Sequence, residues 1–388
     1  MEQKTENQPS SKKKAMEYTV VKIRIFPTAE QTALIEKTFG CCRYLWNRML
    51  EDVQEFYAAA DVHYIPTPAH YKKEAPFLKE VDSQALCTVH QNLRRAFLDF
   101  FRAPKTYQYP KFKTKKSRKD SFTVHCRPYH TGPSIRLAAD GIQMPKLGFV
   151  KAKVHRTPPR EWPLRFVTVS RTKSGNYFCS VAFGYEAAVP ERAVPTPERT
   201  VGLNFSLTRF YVDSEGASPK LPKLAKSQEK LSRMQQRLSQ MVCGSKNYEE
   251  QLHKIRLLHE HLSNQRKDFI HKESRRIANA WDAVCVRETD LRELSQKFRQ
   301  GNLSAFGFGR FRDCLKYKLE RQGKPLIVVD RYAPAAKACN TCGRINERLG
   351  SREKSWVCPS CGATLAREVN TARNIRDFGL AAVCESVA

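Results

Sequence analysis

The sequence lacks any long apolar run. None of its hydrophobic stretches approaches the roughly 18 consecutive residues that a bilayer-spanning helix requires. The first fifteen residues are polar, with three consecutive lysines and no apolar segment, so we expect no secretory signal. The main body shows no internal repeat, which argues against a solenoid. These absences predict a protein with no membrane partner that stays in the cytoplasm.

Acidic residues are also scarce. The 388 residues include 39 Asp and Glu against 68 Lys and Arg, which leaves a formal net charge of +29. An excess of this size repels itself unless a polyanion neutralises it, and nucleic acid is the usual polyanion. The hydrophobic share of 41% is enough to build cores, so global disorder is excluded. At roughly 100–200 residues per domain, this length predicts two or three domains.

The thirteen cysteines do not follow a disulfide pattern, because their number is odd and several stand in apolar segments. Four of them form two Cys-x2-Cys pairs, Cys339 with Cys342 and Cys358 with Cys361, separated by fifteen residues. Each pair places two thiolates on one tight turn, and four thiolates complete the tetrahedral shell of a zinc ion. No coordination position remains for a substrate. We therefore predict a structural zinc site, with Trp356 packing across the ribbon.

Short alternating segments predict an antiparallel β-structure in the first half of the chain. The predicted strands cover residues 18–25, 121–126, 142–144, 149–155, 166–171 and 177–183. Their even spacing is typical of a small barrel or sandwich, which the first strand could close. The helical block at 28–120 would then be an insertion, opened by a capping box at Thr28 and Gln31.

The second half of the chain alternates helices with strands. After a proline-containing linker at 186–198, predicted strands cover 200–205, 210–212, 283–287 and 325–330, and predicted helices cover 223–242, 246–280 and 305–322. The first two helices are amphipathic and adjacent, so we expect them to form an antiparallel hairpin. The alternation as a whole predicts an α/β fold.

Several short motifs follow one another in a specific order. They are Lys22-Ile-Arg-Ile-Phe-Pro, Phe39-Gly-Cys-Cys-Arg-Tyr, Tyr109-Pro-Lys-Phe-Lys, Gly244-Ser-Lys-Asn-Tyr, Asn264-Gln-Arg-Lys-Asp-Phe and, after the cysteine pairs, Asn370-Thr-Ala-Arg-Asn-Ile. In these motifs and in their order, residues 17–378 resemble the TnpB/OrfB proteins of small insertion-sequence transposons, which are relatives of the type V CRISPR effectors.

The resemblance implies an α/β multidomain fold. It implies a small antiparallel wedge β-barrel with an inserted helical recognition lobe, followed by an RNase H-like (RuvC) domain that carries the zinc ribbon. The expected boundaries are 17–28 and 121–190 for the barrel, 29–120 for the lobe, 199–335 and 364–380 for the RuvC-like domain, and 336–363 for the ribbon. A disordered tail is expected at 1–16 and a second tail at 381–388.

The resemblance also implies a bacterial protein with two nucleic-acid partners. The family consists of RNA-guided DNA nucleases, in which a guide RNA supplies the choice of sequence and the protein reads a short motif flanking the double-stranded target DNA. A strongly basic surface suits a protein that holds both phosphate backbones. We therefore expect two cofactors, a guide RNA and the structural zinc, and a nucleoid-associated location in the cytoplasm.

The nuclease residues of the family are changed in this chain. A RuvC-like site holds two divalent cations with three carboxylates. At the three matching positions this chain has Asn204, Arg287 and Glu368. A site expected to carry three negative charges would carry about none, so we predict that no catalytic Mg²⁺ binds. Arg287 could instead pair with Glu368 and fill the place of the metal.

Four hypotheses on function remain. The first is RNA-guided DNA binding without cleavage, as in the TldR-type transcriptional repressors that occlude a promoter with an R-loop. The second is an active transposon-associated endonuclease with a displaced site made by Glu288, Asp290 and Glu368, although Glu288 should face the opposite side of its strand from the family's position. The third is a decaying transposon copy, and the fourth is a nucleic-acid-binding module that needs no guide.

Two sets of side chains are expected to contact DNA. The candidates for reading the flanking motif are polar side chains of the helical lobe: Tyr44, Asn47, Gln84, Thr88, Gln91 and Arg95. An exposed polar face without a role is the alternative for this set. The segment 102–119 has eight basic residues, no acid and three aromatics, which favours backbone contact with base stacking. Its expected phosphate contacts are Lys111, Lys113, Lys115, Lys116, Arg118 and Lys119.

Overall fold

The computed structural model describes residues 14–60, 65–115, 120–130, 132–206, 208–288, 303–350 and 353–387. The chain forms two compact units, one ending at Ala188 and the other beginning at Val189. This division falls within the segment predicted as a linker, 186–198. Among the described helices, none combines the length and the apolar character that crossing a bilayer requires.

The first unit is built on a seven-stranded antiparallel sheet. The strands of this unit are β1 (Lys14–Phe26), β2 (Ser121–His125), β3 (Pro128–Tyr129), β4 (Gly132–Pro133), β5 (Arg136–Leu137), β6 (Gly141–Met144), β7 (Gly148–Lys153), β8 (Leu164–Arg171) and β9 (Tyr177–Ala188). The order across the sheet is β2-β8-β9-β1-β7-β6-β5, and β3 and β4 form a separate hairpin. Because β1 pairs with β9 from Lys14 to Ile25, residues 14–16 belong to the sheet rather than to the expected tail.

Three helices lie in the chain between β1 and β2, which are strands of the same sheet. They are α1 (Ala29–Ala60), α2 (Pro68–Glu74) and α3 (Ser83–Arg102). The predicted capping box opens α1: the Thr28 N–H donates to Gln31 Oε1 at 3.0 Å, and the Gln31 N–H donates to Thr28 Oγ1 at 3.3 Å. Asp82 caps α3 by accepting the N–H of Gln84 at 2.7 Å. The helical block is therefore an insertion into the sheet, as expected.

The described strands do not close into the expected small barrel. The sheet ends at β2 and β5, which are not paired with each other. The apolar face of β1, with Val21, Ile23 and Ile25, lies in one buried core with Leu45 of α1 and Leu93 of α3. The inserted helices therefore share one core with the sheet, to which the other strands also contribute apolar side chains.

The second unit is built on a four-stranded mixed sheet. Its elements are β10 (Thr200–Ser206), β11 (Phe210–Asp213), α4 (Ala225–Ser239), α5 (Lys246–Ala280), β12 (Ala283–Arg287), α6 (Leu303–Glu320), β13 (Leu326–Val329), β14 (Ser355–Val357), β15 (Thr364–Ala366) and α7 (Arg367–Val387). The sheet order is β11-β10-β12-β13, with β10 antiparallel to β11 and parallel to β12. β14 and β15 form a separate hairpin. The predicted mixed α/β architecture is confirmed.

Helix α7 packs closely on β10 and β12. A Cβ atom on Gly202 of β10 would lie 2.0 Å from the carbonyl oxygen of Ala372, so only glycine permits this approach. From the helix side, a Cβ on Gly379 would lie 2.5 Å from the Sγ of Cys285. The helix continues to Val387, so residues 381–387 are helical and not the expected tail. These contacts place the first turn of α7 beside the end of β10.

Candidate functional site

Four cysteines converge beside the ribbon of β14 and β15. The Sγ atoms of Cys339, Cys342, Cys358 and Cys361 all lie within 4.8 Å of one another. The distance from Cys339 to Cys361 is 3.7 Å, and that from Cys342 to Cys358 is 3.6 Å. Four sulfurs at about 2.3 Å from a tetrahedral zinc ion lie about 3.8 Å apart. The structure therefore brings the predicted ligands together at a spacing that fits zinc.

Each cysteine pair lies on a tight turn that ends in glycine. Gly343 and Gly362 have φ angles of +76° and +73°, in the left-handed region that favours glycine. Their N–H groups donate to the carbonyl oxygens of Cys339 and Cys358 at 2.8 and 2.9 Å. The backbone N–H of Cys361 contributes most to lowering the pKa of Cys358, to about 6. The turn thus favours the thiolate at Cys358, and the thiolate is the form that binds a metal.

The ribbon has its own small core and is fixed to α7. Trp356 is 6% exposed and packs with Leu349 and Leu365, as predicted. The N–H of Asn340 donates to Asn370 Oδ1 of α7 at 2.9 Å, and the side-chain amide of Asn370 donates to the Ala338 carbonyl at 2.7 Å. The cysteine cluster and the helix that carries Glu368 therefore form one bonded arrangement.

The three positions that match the family's carboxylates come together at one end of the mixed sheet. The parallel register pairs Leu203 of β10 with Val286 of β12, so the next residues, Asn204 and Arg287, lie side by side. Glu368 lies in the first turn of α7, and the side-chain amide of Asn204 donates to its backbone carbonyl at 3.4 Å. The three predicted positions are therefore spatial neighbours.

The carboxylate of Glu368 is engaged by groups that the sequence did not point to. Ser206 Oγ donates to Glu368 Oε1 at 2.9 Å, and Arg209 Nη1 lies 3.6 Å from Glu368 Oε2. Arg287 instead donates from Nε to the carbonyl oxygen of Arg331 at 3.1 Å, and its Nη2 donates to the same oxygen. The expected ion pair between Arg287 and Glu368 is therefore wrong, and Arg209 takes that place.

The displaced site that would use Glu288, Asp290 and Glu368 gains no support from the backbone. The N–H of Glu288 donates to the Val329 carbonyl at 2.8 Å, so the pairing of β12 with β13 continues without a bulge. Regular alternation then directs Glu288 to the face opposite Arg287. Asp290 lies outside the described residues.

The charge at this end of the sheet differs from that of a two-metal site. Asn204 is neutral, and Arg287 and Glu368 carry opposite charges, so the three positions together carry none. Arg209 adds a further positive charge beside Glu368. Hard divalent cations are held by several anionic oxygens. This donor set, with one carboxylate that is already paired, does not fit two such ions.

Two of the predicted base readers have their polar atoms bonded within the lobe. Thr88 is 7% exposed, and its hydroxyl donates to the Gln84 carbonyl at 2.8 Å. The Asn47 amide donates to the Lys113 carbonyl at 3.0 Å and accepts the Lys113 N–H at 2.7 Å. The polar atoms of Thr88 and Asn47 are thus bonded within the lobe, and their role in reading bases stays a prediction.

The remaining candidates stay at the surface of the lobe. Gln91 is exposed, Arg95 is exposed with Asp99 at 3.8 Å, Gln84 is half-buried, and Tyr44 is exposed and in edge contact with Phe77. Sequence reasoning missed Asn92, an exposed amide beside Gln91. Asn92 helps to line a cavity of about 130 Å³ with Arg43 and Lys113. The helical spacing of Asn92 four residues after Thr88 was a signal that could have found it.

A hydrogen bond and a cation–π contact hold the basic segment, 102–119, against α1. The indole N–H of Trp46 donates to the Lys111 carbonyl at 3.0 Å, and the ammonium of Lys113 lies 3.6 Å from the centre of the Trp46 ring. Lys111, Lys113 and Lys115 are exposed. Lys116, Arg118 and Lys119 lie outside the described residues. The described lysines therefore occur on a defined stretch of backbone at the surface.

Three family models match the chain. The OrfB_IS605 model, described as "Probable transposase", matches residues 182–297, its companion "Helix-turn-helix domain" matches 16–61, and the "Cas12f1-like, TNB domain" matches 308–375. The segment 16–61 holds β1 and the single 32-residue helix α1 rather than a helix-turn-helix. The TNB match includes all four ligands of the cysteine cluster.

Related proteins match along nearly the whole chain. A Streptomyces pristinaespiralis protein named as an RNA-guided DNA endonuclease is 31% identical over 372 residues, which cover 93% of this chain and 89% of the relative. InsQ of Escherichia coli strain K12, which carries the same designation, is 28% identical over 385 residues, covering 92% and 91%.

The solved structure of a Cas12f1–sgRNA–target DNA complex shares the fold, with a TM-score of 0.59 at 11% identity over 93% of this chain and 99% of that one. The mixed sheet and four-cysteine ribbon thus place the protein in the class of Cas12-like folds. Within that class, the chain belongs to the TnpB/OrfB family.

Proposed function

We propose that this protein is an RNA-guided, sequence-directed double-stranded DNA-binding protein without nuclease activity, and that it acts as a TldR-type transcriptional repressor. Its guide RNA pairs with one strand of the target, and the resulting R-loop occludes a promoter. Such a mechanism is steric and needs no catalytic residue. It needs a stable scaffold, a nucleic-acid surface and a motif-reading face.

The observation that carries the proposal is the state of the three carboxylate positions. Asn204, Arg287 and Glu368 are neighbours, as the metal ligands of a nuclease would have to be. Their charges cancel, and Glu368 is bonded to Ser206 and Arg209. Two-metal hydrolysis needs cations to activate water and to stabilise the leaving oxygen. This arrangement therefore favours binding without cleavage.

The nucleic-acid partners are supported by relatives and by charge. The names of the two relatives describe RNA-guided action on DNA. The net charge of +29 suits a protein that neutralises two phosphate backbones. On the lobe, the candidates for contacting base edges of a flanking motif are Tyr44, Asn47, Gln84, Thr88, Gln91 and Arg95. Zinc in the cysteine cluster would be structural, because four thiolates leave no open position.

The decisive experiment is a cleavage assay beside a binding assay. RNA that co-purifies with the protein is sequenced, and a duplex that matches this guide and carries candidate flanking motifs is incubated with the complex and Mg²⁺. We expect a guide-dependent shift in a gel and no cut strand, with the Streptomyces relative as the positive control for cleavage. Guide-dependent cutting would contradict the proposal and favour the endonuclease hypothesis.

Repression is tested separately in cells. A reporter promoter that contains the target is expected to lose expression when protein and guide are present, and to recover when the guide is mismatched beside the flanking motif. Equal binding to matched and unmatched DNA would indicate a guide-independent module instead.

A further inference from the structure

Arg209 lies beside the carboxylate of Glu368. It is in the turn between β10 and β11, and its guanidinium lies 3.6 Å from the Glu368 carboxylate. The side chains of Arg209 and Glu368 are 56% and 37% exposed. Exposed ion pairs contribute little to stability. The contact is therefore important for its position and not for its stability, because Glu368 is the one carboxylate among the three predicted metal-ligand positions.

The turn that carries Arg209 is fixed by packing. The next residue, Phe210, has a φ of +74°, a left-handed value that is unusual for a residue with a side chain. Phe210 is fully buried, and its ring contacts those of Phe269 and Phe311 at 5.2 Å each. A backbone in this region persists only where the surroundings determine it. The N–H of Arg209 also donates to Ser206 Oγ at 3.3 Å.

The carboxylate is fixed from the other side. Glu368 lies in the first turn of α7, where the helix dipole favours a negative side chain. Ser206 donates to one carboxylate oxygen at 2.9 Å, and Arg209 faces the other. Ser206 thus bonds to both the Arg209 backbone and the Glu368 side chain. The β10–β11 turn holds the two side chains together, while Asn204 bonds to the backbone carbonyl of Glu368.

We propose that Arg209 is a built-in counter-ion that keeps divalent cations away from Glu368, so that restoring carboxylates at Asn204 and Arg287 alone does not rebuild the metal site. This inference rests on the proposed loss of nuclease activity and adds to it a fourth residue. A unit charge about 6 Å from a divalent cation in water costs about 1.4 kcal/mol of binding by repulsion, which is roughly a tenfold loss of affinity.

The test measures metal affinity in the full chain. The starting variant combines Asn204→Asp with Arg287→Glu and keeps Glu368. Binding of Mn²⁺ is followed by the loss of the free-ion signal in electron paramagnetic resonance, with the wild-type protein as the baseline for ions bound elsewhere. Adding Arg209→Gln is expected to tighten Mn²⁺ binding about tenfold, and adding Arg209→Lys, which keeps the charge, is expected to leave it weak.

A matched control separates this effect from a general loss of positive charge. Arg233 of α4 is an exposed arginine in an ion pair with Glu229, so Arg233→Gln removes the same charge elsewhere. It is expected to leave Mn²⁺ affinity unchanged. Equal affinity with and without Arg209→Gln, including no detectable binding in either, would overturn the inference. Cleavage by the wild-type complex would instead overturn the proposed function, so the two failures are distinguishable.

Discussion

The contact between β10 and α7 can be tested by adding one methyl group. Gly202→Ala places a Cβ where the Ala372 carbonyl oxygen is only 2.0 Å away, and the backbone N of Arg376 is 2.7 Å away. Carbon and oxygen atoms normally approach to about 3.3 Å or more, as in the closest weak hydrogen bonds. Both obstacles are backbone atoms of a helix, so no side chain can rotate out of the way. The helix must move away from the strand by about 1 Å.

The expected cost is large for so small a change. Overpacking a well-packed core costs about 1–3 kcal/mol, and the obstacle here is rigid. Replacing glycine also lowers the entropy of the unfolded chain, which returns about 0.4–1 kcal/mol. We therefore expect a net loss of about 2 kcal/mol in the free energy of opening of this region. The shift would also separate Asn204 from the Glu368 carbonyl, since both lie at this contact.

Hydrogen exchange measured by mass spectrometry reports on the contact directly. Peptides from β10 and from the start of α7 are expected to exchange about thirtyfold faster in Gly202→Ala. The control is Gly40→Ala in α1, where a Cβ meets no atom within 4 Å and the substitution should stabilise the helix by about 0.5–1 kcal/mol. Unchanged protection of the β10 and α7 peptides would refute the reasoning.

Three other predictions concern the cysteine cluster and the lobe. Chelation of zinc, or Cys342→Ser, is expected to open the ribbon locally and to give new proteolytic cuts between residues 339 and 361. Peptides from the first unit should keep their protection. Cuts throughout the chain would contradict a local structural role. Asn47→Ala is expected to lower the free energy of unfolding, measured by heat or urea, by about 1–2 kcal/mol because it removes two hydrogen bonds to the Lys113 backbone. Gln91→Ala should leave this stability unchanged and relax the preference for the flanking motif. Lys115→Ala should weaken the binding of all DNA sequences alike and lower the slope of log affinity against log salt by about one unit. A loss that depends on sequence would count against a phosphate contact.

Local patterns in the sequence were sufficient for much of the fold. Helix α5 begins after Ser245, whose hydroxyl accepts the Tyr248 N–H, and this cap stands in the sequence beside a clear apolar period. The capping box of α1 is equally local, as is the spacing of the four cysteines. In each case the residues that make the contact are few and close together, or follow a fixed metal geometry.

Contacts between distant segments were beyond such patterns. The barrel was expected from the spacing of strands, but spacing does not show whether the two outer strands, β2 and β5, pair with each other. Asn47 looked free to read bases because its partner, Lys113, is far along the chain. Arg209 meets Glu368 only because a left-handed Phe210 and its aromatic neighbours set the turn. Each of these contacts depends on residues that are far apart in the sequence, so a short sequence pattern does not predict it.

In and around β10, the residues that packing requires are kept, whereas the predicted carboxylate positions are changed. This difference bears on whether the chain is a decaying transposon copy. Gly202 is demanded by the packing of α7, and a side chain there meets backbone. Asn204, two residues further on, donates its side-chain amide to the Glu368 carbonyl at 3.4 Å, a bond that an ionised carboxylate would not make. Random decay would strike packing positions such as Gly202 or the ribbon-fixing Asn340 as readily as chemical ones. The proposed function, binding without cutting, requires the packing residues and does not require the carboxylates, and the chain keeps Gly202 and Asn340 while it has Asn204 and Arg287.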